Sequence, residues 1–362
     1  MGEVQVLSDN IFSTVKGTNG YQSIELFAGA GGMALGMEKA GFKHVLLNDF
    51  DFSATQTLKA NRLHWNVVHG DIAQIDFTSY DNVDLLTGGF PCQAFSYAGR
   101  KLGLEDTRGT LFYEFARALK ESTPKVFLAE NVKGLKSHDG GRTLQTMVDV
   151  FTSMGYEVLD PTVLKGIHYN VPQKRERLFI IGIKKEYAPY VSFSFPKQSP
   201  NIYTLKDALK KGKLFDCDVP VSEGQSYPEK KKRVLDLVPP GGYWRDLPLA
   251  LQKEYMMKSF YLGGGKTGIA RRISWDEPSL TLTCSPAQKQ TERCHPDETR
   301  PFQVREYARI QTFPDEWKFM GSMTQQYKQI GNAVPVNLSY AIGKSLIQLM
   351  DDIYSHMKES NV

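Results

Sequence analysis

The run Gly88-Gly89-Phe90-Pro91-Cys92-Gln93 puts a thiol directly after a proline, where the apolar stretch Val83-Asp84-Leu85-Leu86-Thr87 ends. That stretch reads as a buried strand, and in an open α/β sheet ligands gather outside the carboxyl ends of the strands. Cys92 is thereby placed to act as a nucleophile, although a buried cysteine also serves as a small hydrophobe. Two further chemical groups stand at strand ends. Glu130, followed by Asn131 and Val132, closes an apolar run, and Gln173-Lys174-Arg175-Glu176-Arg177 precedes another. In a parallel doubly wound sheet the ends of the first, fourth and fifth strands lie together, so a thiol, a carboxyl and a bound cofactor would converge.

The cofactor side of that expectation rests on Gly29-Ala30-Gly31-Gly32-Met33-Ala34, which satisfies G-x-G-x-x-G/A between a strand and a helix. Asp49 lies twenty residues beyond Gly29, the spacing of an acid that accepts from ribose hydroxyls. Phe50 could stack on a base, and Asp71 could accept from an exocyclic amino group. A glycine turn can also serve packing alone.

The elements that must hold these groups alternate. Strand patterns cover residues 23–27, 44–48, 67–72, 83–87, 126–130 and 178–183, and helical patterns cover 33–40, 53–61, 111–121, 143–154 and 336–354. Strands separated by helices imply crossover units, hence an α/β fold with a doubly wound, mostly parallel sheet covered on both faces. From about residue 186 prolines and glycines thicken, as in Pro239-Pro240-Gly241-Gly242, and the alternation stops. We therefore expect a cofactor-binding catalytic domain over 1–185, a smaller irregular domain over 186–323, and a segment 324–362 that returns to the first domain.

A chain of 362 residues can bury its core without staples. Cys92, Cys217, Cys284 and Cys294 form no CxxC pair, which suits a reducing cytosol, and His295 beside Cys294 has no companion pair, so no metal is expected. No secretory leader pattern and no apolar stretch of about 18 residues appears, so a soluble intracellular protein is expected, with no membrane partner. The net charge is only +4, yet between Lys197 and Arg272 basic residues outnumber acids about two to one, with a run at Lys230-Lys231-Lys232-Arg233. Such a segment suits a polyanion or is simply a solvated loop.

Taken in order, these motifs are similar to those of the bacterial cytosine-5 DNA methyltransferases of restriction–modification systems. The resemblance is carried by Leu26 to Gly32, Gly89 to Ser96, Glu130-Asn131-Val132, Val171 to Arg177, Arg271 to Pro278, and Gln329-Ile330-Gly331-Asn332-Ala333-Val334-Pro335, and it spans nearly the whole chain. It implies a Rossmann-like methyltransferase fold with a target-recognition domain. It also implies S-adenosylmethionine as cofactor, held by Phe27, Ala28, Gly29, Ala30, Gly31, Gly32, Asp49, Phe50, Asp71, Ile72, Pro91, Leu111, Asn332 and Val334. Asp49 stands where the family commonly has Glu.

The chemistry requires such a set. Carbon 5 of cytosine is too weak a nucleophile to take a methyl group unaided, so a thiolate must first add at carbon 6. A free thiol with pKa near ~8.5 is only slightly ionised at neutral pH, so Cys92 should lie near donors or a cation. By the resemblance Glu130 holds the ring, and Arg175 and Arg177 position the base and its phosphate. The target must be flipped out of double-stranded DNA. Residues 93–108 would close over it as a lid, or form an ordinary surface loop, with Ser96, Arg100 and Lys101 near the DNA backbone. Arg245, Lys266, Arg271 and Arg272 are candidate DNA contacts in the second domain.

The resemblance further implies a monomer in the bacterial cytosol, associated with the nucleoid, and a cognate restriction endonuclease acting on the same site without direct contact. Two readings compete, a transfer-RNA cytosine-5 methyltransferase and a catalytically silent DNA-binding protein; a nicotinamide enzyme would leave Cys92 without a task.

Overall fold

The computed structural model describes residues 20–91 and 111–360. Cys92, Ser96, Arg100, Lys101 and the lid expected over 93–108 lie outside the described residues.

The sheet follows the order β3-β2-β1-β4-β5-β9-β6, with β7 also paired to β9. Its strands are β1 (Gln22–Leu26), β2 (Lys43–Asp49), β3 (Val67–His69), β4 (Leu85–Gly88), β5 (Val126–Val132), β6 (Tyr156–Val158), β7 (Thr162–Lys165) and β9 (Glu176–Lys184). A two-residue strand, β8 (Gln173–Lys174), pairs instead with β10 (Ser279–Leu280). Strands β1 to β5 are mutually parallel, and β9 runs antiparallel to its neighbours. Their sequences are near-continuous apolar runs because both faces are covered: Ile24, Leu26, Leu85, Leu86, Phe127 and Leu128 are all fully buried.

The chain moves outward from β1 through β2 to β3, then returns to β4 on the other side of β1. Strand order therefore reverses between β1 and β4, with Leu26 paired to Gly88 at their carboxyl ends. A crevice opens at such a reversal. Helix α1 (Gly32–Ala40) follows β1, α2 (Phe52–Asn61) follows β2, and α3 (Leu111–Ser122) and α4 (Arg142–Ser153) flank β5. The long C-terminal helix, labelled α10 below, packs on α1, burying Leu338, Ile342 and Leu346 with Met33 and Met37.

Two local expectations need correction. The third strand ends at His69 rather than running to residue 72, because Gly70 takes φ 141° and Asp71 caps a short 3-10 turn, Ile72–Gln74. Strands β6 and β7 were not anticipated; runs of three and four residues carry too little pattern.

Beyond residue 186 lie α5 (Leu205–Leu209), α6 (Glu229–Leu235), α7 (Leu249–Met256), α8 (Val304–Ile310), α9 (Met323–Asn332) and α10 (Val336–Glu359). The separate small core in this region joins Tyr227, Val234, Trp244, Met256, Ile269 and Cys294. It is narrower than the expected 186–323. Leu205, Leu209, Phe302, Tyr307 and Trp317 instead share a core with Ala30, Leu35 and Leu58 around α1 and α2.

Candidate active site

A cavity of about 810 Å³ lies at the carboxyl ends of β1, β2, β4 and β5. Its walls include Phe27, Ala28, Gly29, Gly32, Asp49, Phe50, Pro91, Leu111, Glu130, Arg177, Asn332 and Val334. Residues from seven separate stretches of sequence are thus brought together.

Phe27 leaves β1 with φ 57°, a left-handed value that a bulky residue adopts only when its surroundings impose it. The following glycines divide their work. Gly29 (φ 54°) faces the cavity, and nothing lies within 4 Å of where a Cβ would stand, so the backbone is open to a ligand. Gly31 (φ 82°) serves packing, since a Cβ there would come 2.6 Å from Leu58 Cδ2. Ala30 is buried and its carbonyl accepts from Trp317 Nε1 at 3.2 Å. The expectation that Ala30 and Gly31 line the pocket is corrected accordingly.

Asp49 ties this turn to β2. Its carboxylate accepts from the Gly29 N–H and the Asp51 N–H, each at 2.7 Å. Burial holds its pKa above the ordinary value, against the pull of those two bonds. Phe50 beside it is 77% exposed at the cavity mouth, an apolar face available for stacking. Asp71 and Ile72 do not line this cavity. The Asp71 carboxylate accepts from the Ala73 N–H at 3.0 Å, and the Ile72 side chain is part of the core.

At the other wall, Glu130 Oε1 lies 2.7 Å from Arg177 Nε, with both side chains nearly buried. Burial raises the Glu130 pKa, while the Arg177 and then the Arg175 charges draw it back. Asn131, next along and also in the lining, donates from Nδ2 to the Phe90 carbonyl at 2.8 Å. That bond fixes the backbone leading into Pro91 beside the Glu130 carboxyl.

Two features escaped the sequence reading. Lys328 Nζ pairs with Asp51 Oδ2 at 2.8 Å, joining α9 to the start of α2, and both residues line the cavity. Glu25, also in the lining, is fully buried within β1. An acid inside an apolar run gives no sequence signal of where it points.

Residues 21–348 match the family of C-5 cytosine-specific DNA methylases. The chain belongs to that family. It is a DNA cytosine-5-methyltransferase with the family's α/β fold. Its relatives include the Type II methyltransferase M.Eco47II of Escherichia coli, 68% identical over 336 residues covering 92% of this chain and 81% of that protein. Another is the Type II methyltransferase M.Sau96I of Staphylococcus aureus, 52% identical over 343 residues covering 94% of this chain and 78% of that protein. Among solved structures, a DNA modification methyltransferase encoded within an Escherichia coli prophage superposes with a TM-score of 0.69 at 23% identity, over 91% of this chain and 99% of that one. This last likeness concerns the fold.

In this methylase the two expected base-positioning arginines separate. Arg177 is in the cavity, whereas Arg175 is buried and donates to the Leu282 carbonyl at 3.2 Å and the Gly331 carbonyl at 2.8 Å. Arg175 braces β10 and α9 rather than facing a base. Asn332, next along from Gly331, accepts from the Cys284 thiol at 3.0 Å.

The expected DNA contacts divide similarly. Arg272 is buried and donates to the carbonyls of Leu235, Val238, His295 and Pro296 and to the Thr299 hydroxyl, so its assignment to DNA is corrected. Lys266 is corrected too, because its ammonium donates to the Ser259 and Leu262 carbonyls of its own loop. Arg271 lies over the Tyr243 ring, and Arg245 is exposed over Trp244. Among the described residues no group of three or more His, Cys, Asp or Glu is placed to hold a metal ion.

Proposed function

We propose that this methylase transfers the methyl group of S-adenosylmethionine to carbon 5 of a cytosine flipped out of duplex DNA at a specific sequence, through a transient bond to Cys92. The observation that carries this reading is the joint placement of the buried Glu130–Arg177 pair, Asp49 and Pro91 around one cavity. A buried Glu25 oxygen without a partner in the same cavity supports a polar, cationic ligand there. When bound, the cofactor supplies an electrophilic methyl group on sulfur.

The protein's own groups do the rest. Gly29 and Asp49 would hold the ribose side and Phe50 the adenine, while Asn332 and Val334 close the opposite wall. Cys92, following Pro91 in the wall, would add its thiolate to carbon 6, making carbon 5 nucleophilic. The raised Glu130 carboxyl suits an acid that donates to the ring nitrogen and accepts from the exocyclic amino group as charge develops. Arg177 fixes its orientation. Loss of the carbon-5 proton then lets the thiolate leave.

The lobe around Tyr227, Trp244 and Cys294 would read the target sequence, with the exposed Arg245 and the half-buried Arg271 as candidate cations toward DNA. Its relatives' naming as Type II methyltransferases favours the protective half of a restriction–modification pair, the cognate endonuclease meeting only the shared site. We further assign it to the cytosol, on DNA, as a monomer; no helix among the described residues is long and apolar enough to cross a membrane.

The test is transfer from tritiated S-adenosylmethionine to duplex DNA and to transfer RNA, with 5-methylcytosine identified in the digest. A duplex carrying 5-fluorocytosine should trap a covalent adduct. Labelling of transfer RNA alone, or no adduct, would overturn the reading.

A further inference from the structure

Where the chain passes from β8 to β9, Gln173 and Arg175 are buried, Lys174 is exposed, and the half-buried Glu176 precedes Arg177 in the cavity. The two outward groups are each held by an opposite charge from elsewhere in the chain. Glu176 Oε2 lies 2.9 Å from Lys133 Nζ, with the side chains 31% and 60% exposed. Lys174 Nζ lies 2.9 Å from Glu277 Oε2, with the side chains 45% and 54% exposed. The first pair stands at the cavity rim. Val132 and Arg177, partners across β5 and β9, both line the cavity, and Lys133 and Glu176 are their next neighbours outward. The second pair continues the rim toward the recognition lobe, because Lys174 belongs to β8, whose partner β10 begins two residues after Glu277. The Lys174 bond holds the Glu277 pKa below its ordinary value, and the Arg271 charge adds to the pull. Arg271 Nε is itself buried without a partner among the described residues. A band of cations thus runs from the Glu130–Arg177 wall to the recognition lobe, and two of them are tethered by carboxylates.

We propose that Lys133 and Lys174 are reserve phosphate contacts: paired to Glu176 and Glu277 in the free protein, they exchange onto the DNA backbone beside the extruded nucleotide, and the two released carboxylates weaken the grip enough for the product to leave. The inference rests on the reading that a cytosine flipped out of duplex DNA enters this cavity. Asp49 and Phe50 mark the cofactor wall at the end of β2, so a base lodged against Glu130 and Arg177 leaves its phosphates at the β5–β9 rim, where Lys133 stands. An exposed ion pair is weak, because water and salt screen it. Neutralising a phosphate also frees a condensed counterion, so a phosphate brought to the rim outcompetes the carboxylate for the lysine. Each acid then costs affinity twice: its pair has to break, and it is left facing the DNA.

The probe is a short duplex carrying the site that bisulfite sequencing maps, bound by the full chain with S-adenosylhomocysteine present, and its affinity is read against salt. Lys133→Gln and Lys174→Gln should each lower the salt slope by about 0.9. Glu176→Gln and Glu277→Gln should each tighten binding about threefold near physiological salt, with dissociation slowed in step. Glu186→Gln, which breaks the Lys184 pair at the opposite end of β9, should change neither. In the Lys133→Gln background the gain from Glu176→Gln should shrink below about 1.5-fold, because no lysine is left to compete for. A full gain persisting there would mean that the acid merely repels DNA, and it would overturn the exchange. An unchanged slope in a lysine variant, or no tightening in its acid partner, would likewise overturn the exchange for that pair while leaving the reading of the cavity intact. Absence of any duplex binding by the parent protein would overturn the DNA reading and this inference with it.

Discussion

Replacing Gly89 by alanine isolates the placement of the Glu130 carboxyl. A Cβ built on Gly89 falls 2.8 Å from Glu130 Oε2, whereas an ordinary contact needs about 3.4 Å, so the carboxyl must move by about 0.6 Å. Its other oxygen is held by Arg177 Nε at 2.7 Å, so the movement must either stretch that bond or swing the carboxyl away from the bound ring. A misplacement of ~1 Å at a reacting centre costs on the order of a hundredfold in rate, which makes 0.6 Å worth about tenfold, or roughly 1.4 kcal/mol.

The strain falls on the end of a side chain rather than on backbone, so folding stability should change by less than about 1 kcal/mol. Gly88→Ala is the contrast. There the added methyl meets the Phe115 ring at 2.9 Å and the Leu26 carbonyl at 3.2 Å, so stability should fall with no selective effect on chemistry. Single-turnover methyl transfer to duplex DNA, read beside urea unfolding, separates the two variants. A Gly89→Ala protein that turns over within twofold of the parent at unchanged stability would show that Glu130 does not need its observed position.

Cys92→Ser should abolish methyl transfer while S-adenosylmethionine affinity stays within about twofold, and substantial turnover would remove Cys92 from the mechanism. Arg272→Ala should destabilise the fold by about 3 kcal/mol or more, because four buried carbonyls and the part-buried Thr299 hydroxyl lose their donor, without changing the salt slope of DNA binding. Arg245→Ala should do the reverse, lowering the slope by about 0.9 with stability within about 0.5 kcal/mol; an unchanged slope would place Arg245 away from phosphate. Glu25 also carries a stability signature: its raised pKa means that the native state binds its proton more tightly, so its contribution is complete below about 4.5 and fades as pH rises through about 8. The unfolding free energy of Glu25→Gln relative to the parent should therefore climb by roughly 3 kcal/mol between pH 4.5 and pH 7, and parallel pH profiles would mean that Glu25 is not neutral in the empty protein.

The strands and helices around the crevice were legible because burial on both faces writes itself as uninterrupted apolar runs. The position of Glu130 at the end of such a run was enough to bring it to the cavity. Arginine is where legibility stops. Arg175 and Arg177 differ by two positions, which on a regular strand would place them on one face, yet the strand breaks between β8 and β9, and Arg175 turns to carbonyls at Leu282 and Gly331. Arg271 and Arg272 are adjacent and alike, and only the second meets a cage of carbonyls drawn from residues 235 to 296.

A guanidinium serves whichever acceptors reach it first, and those acceptors lie far away along the chain, in loops whose own sequence says nothing of carbonyl direction. The same reasoning explains Glu25 in reverse: its distinguishing property is the absence of a nearby donor on one oxygen, and no local pattern encodes that. Residue type and strand position thus give the chemistry a site can perform, while the division between groups that hold the protein together and groups left open to substrate is set by long-range packing. Arg175 is the sharpest case, because its bond to the Gly331 carbonyl ties the arginine to the turn that carries Asn332 into the cavity.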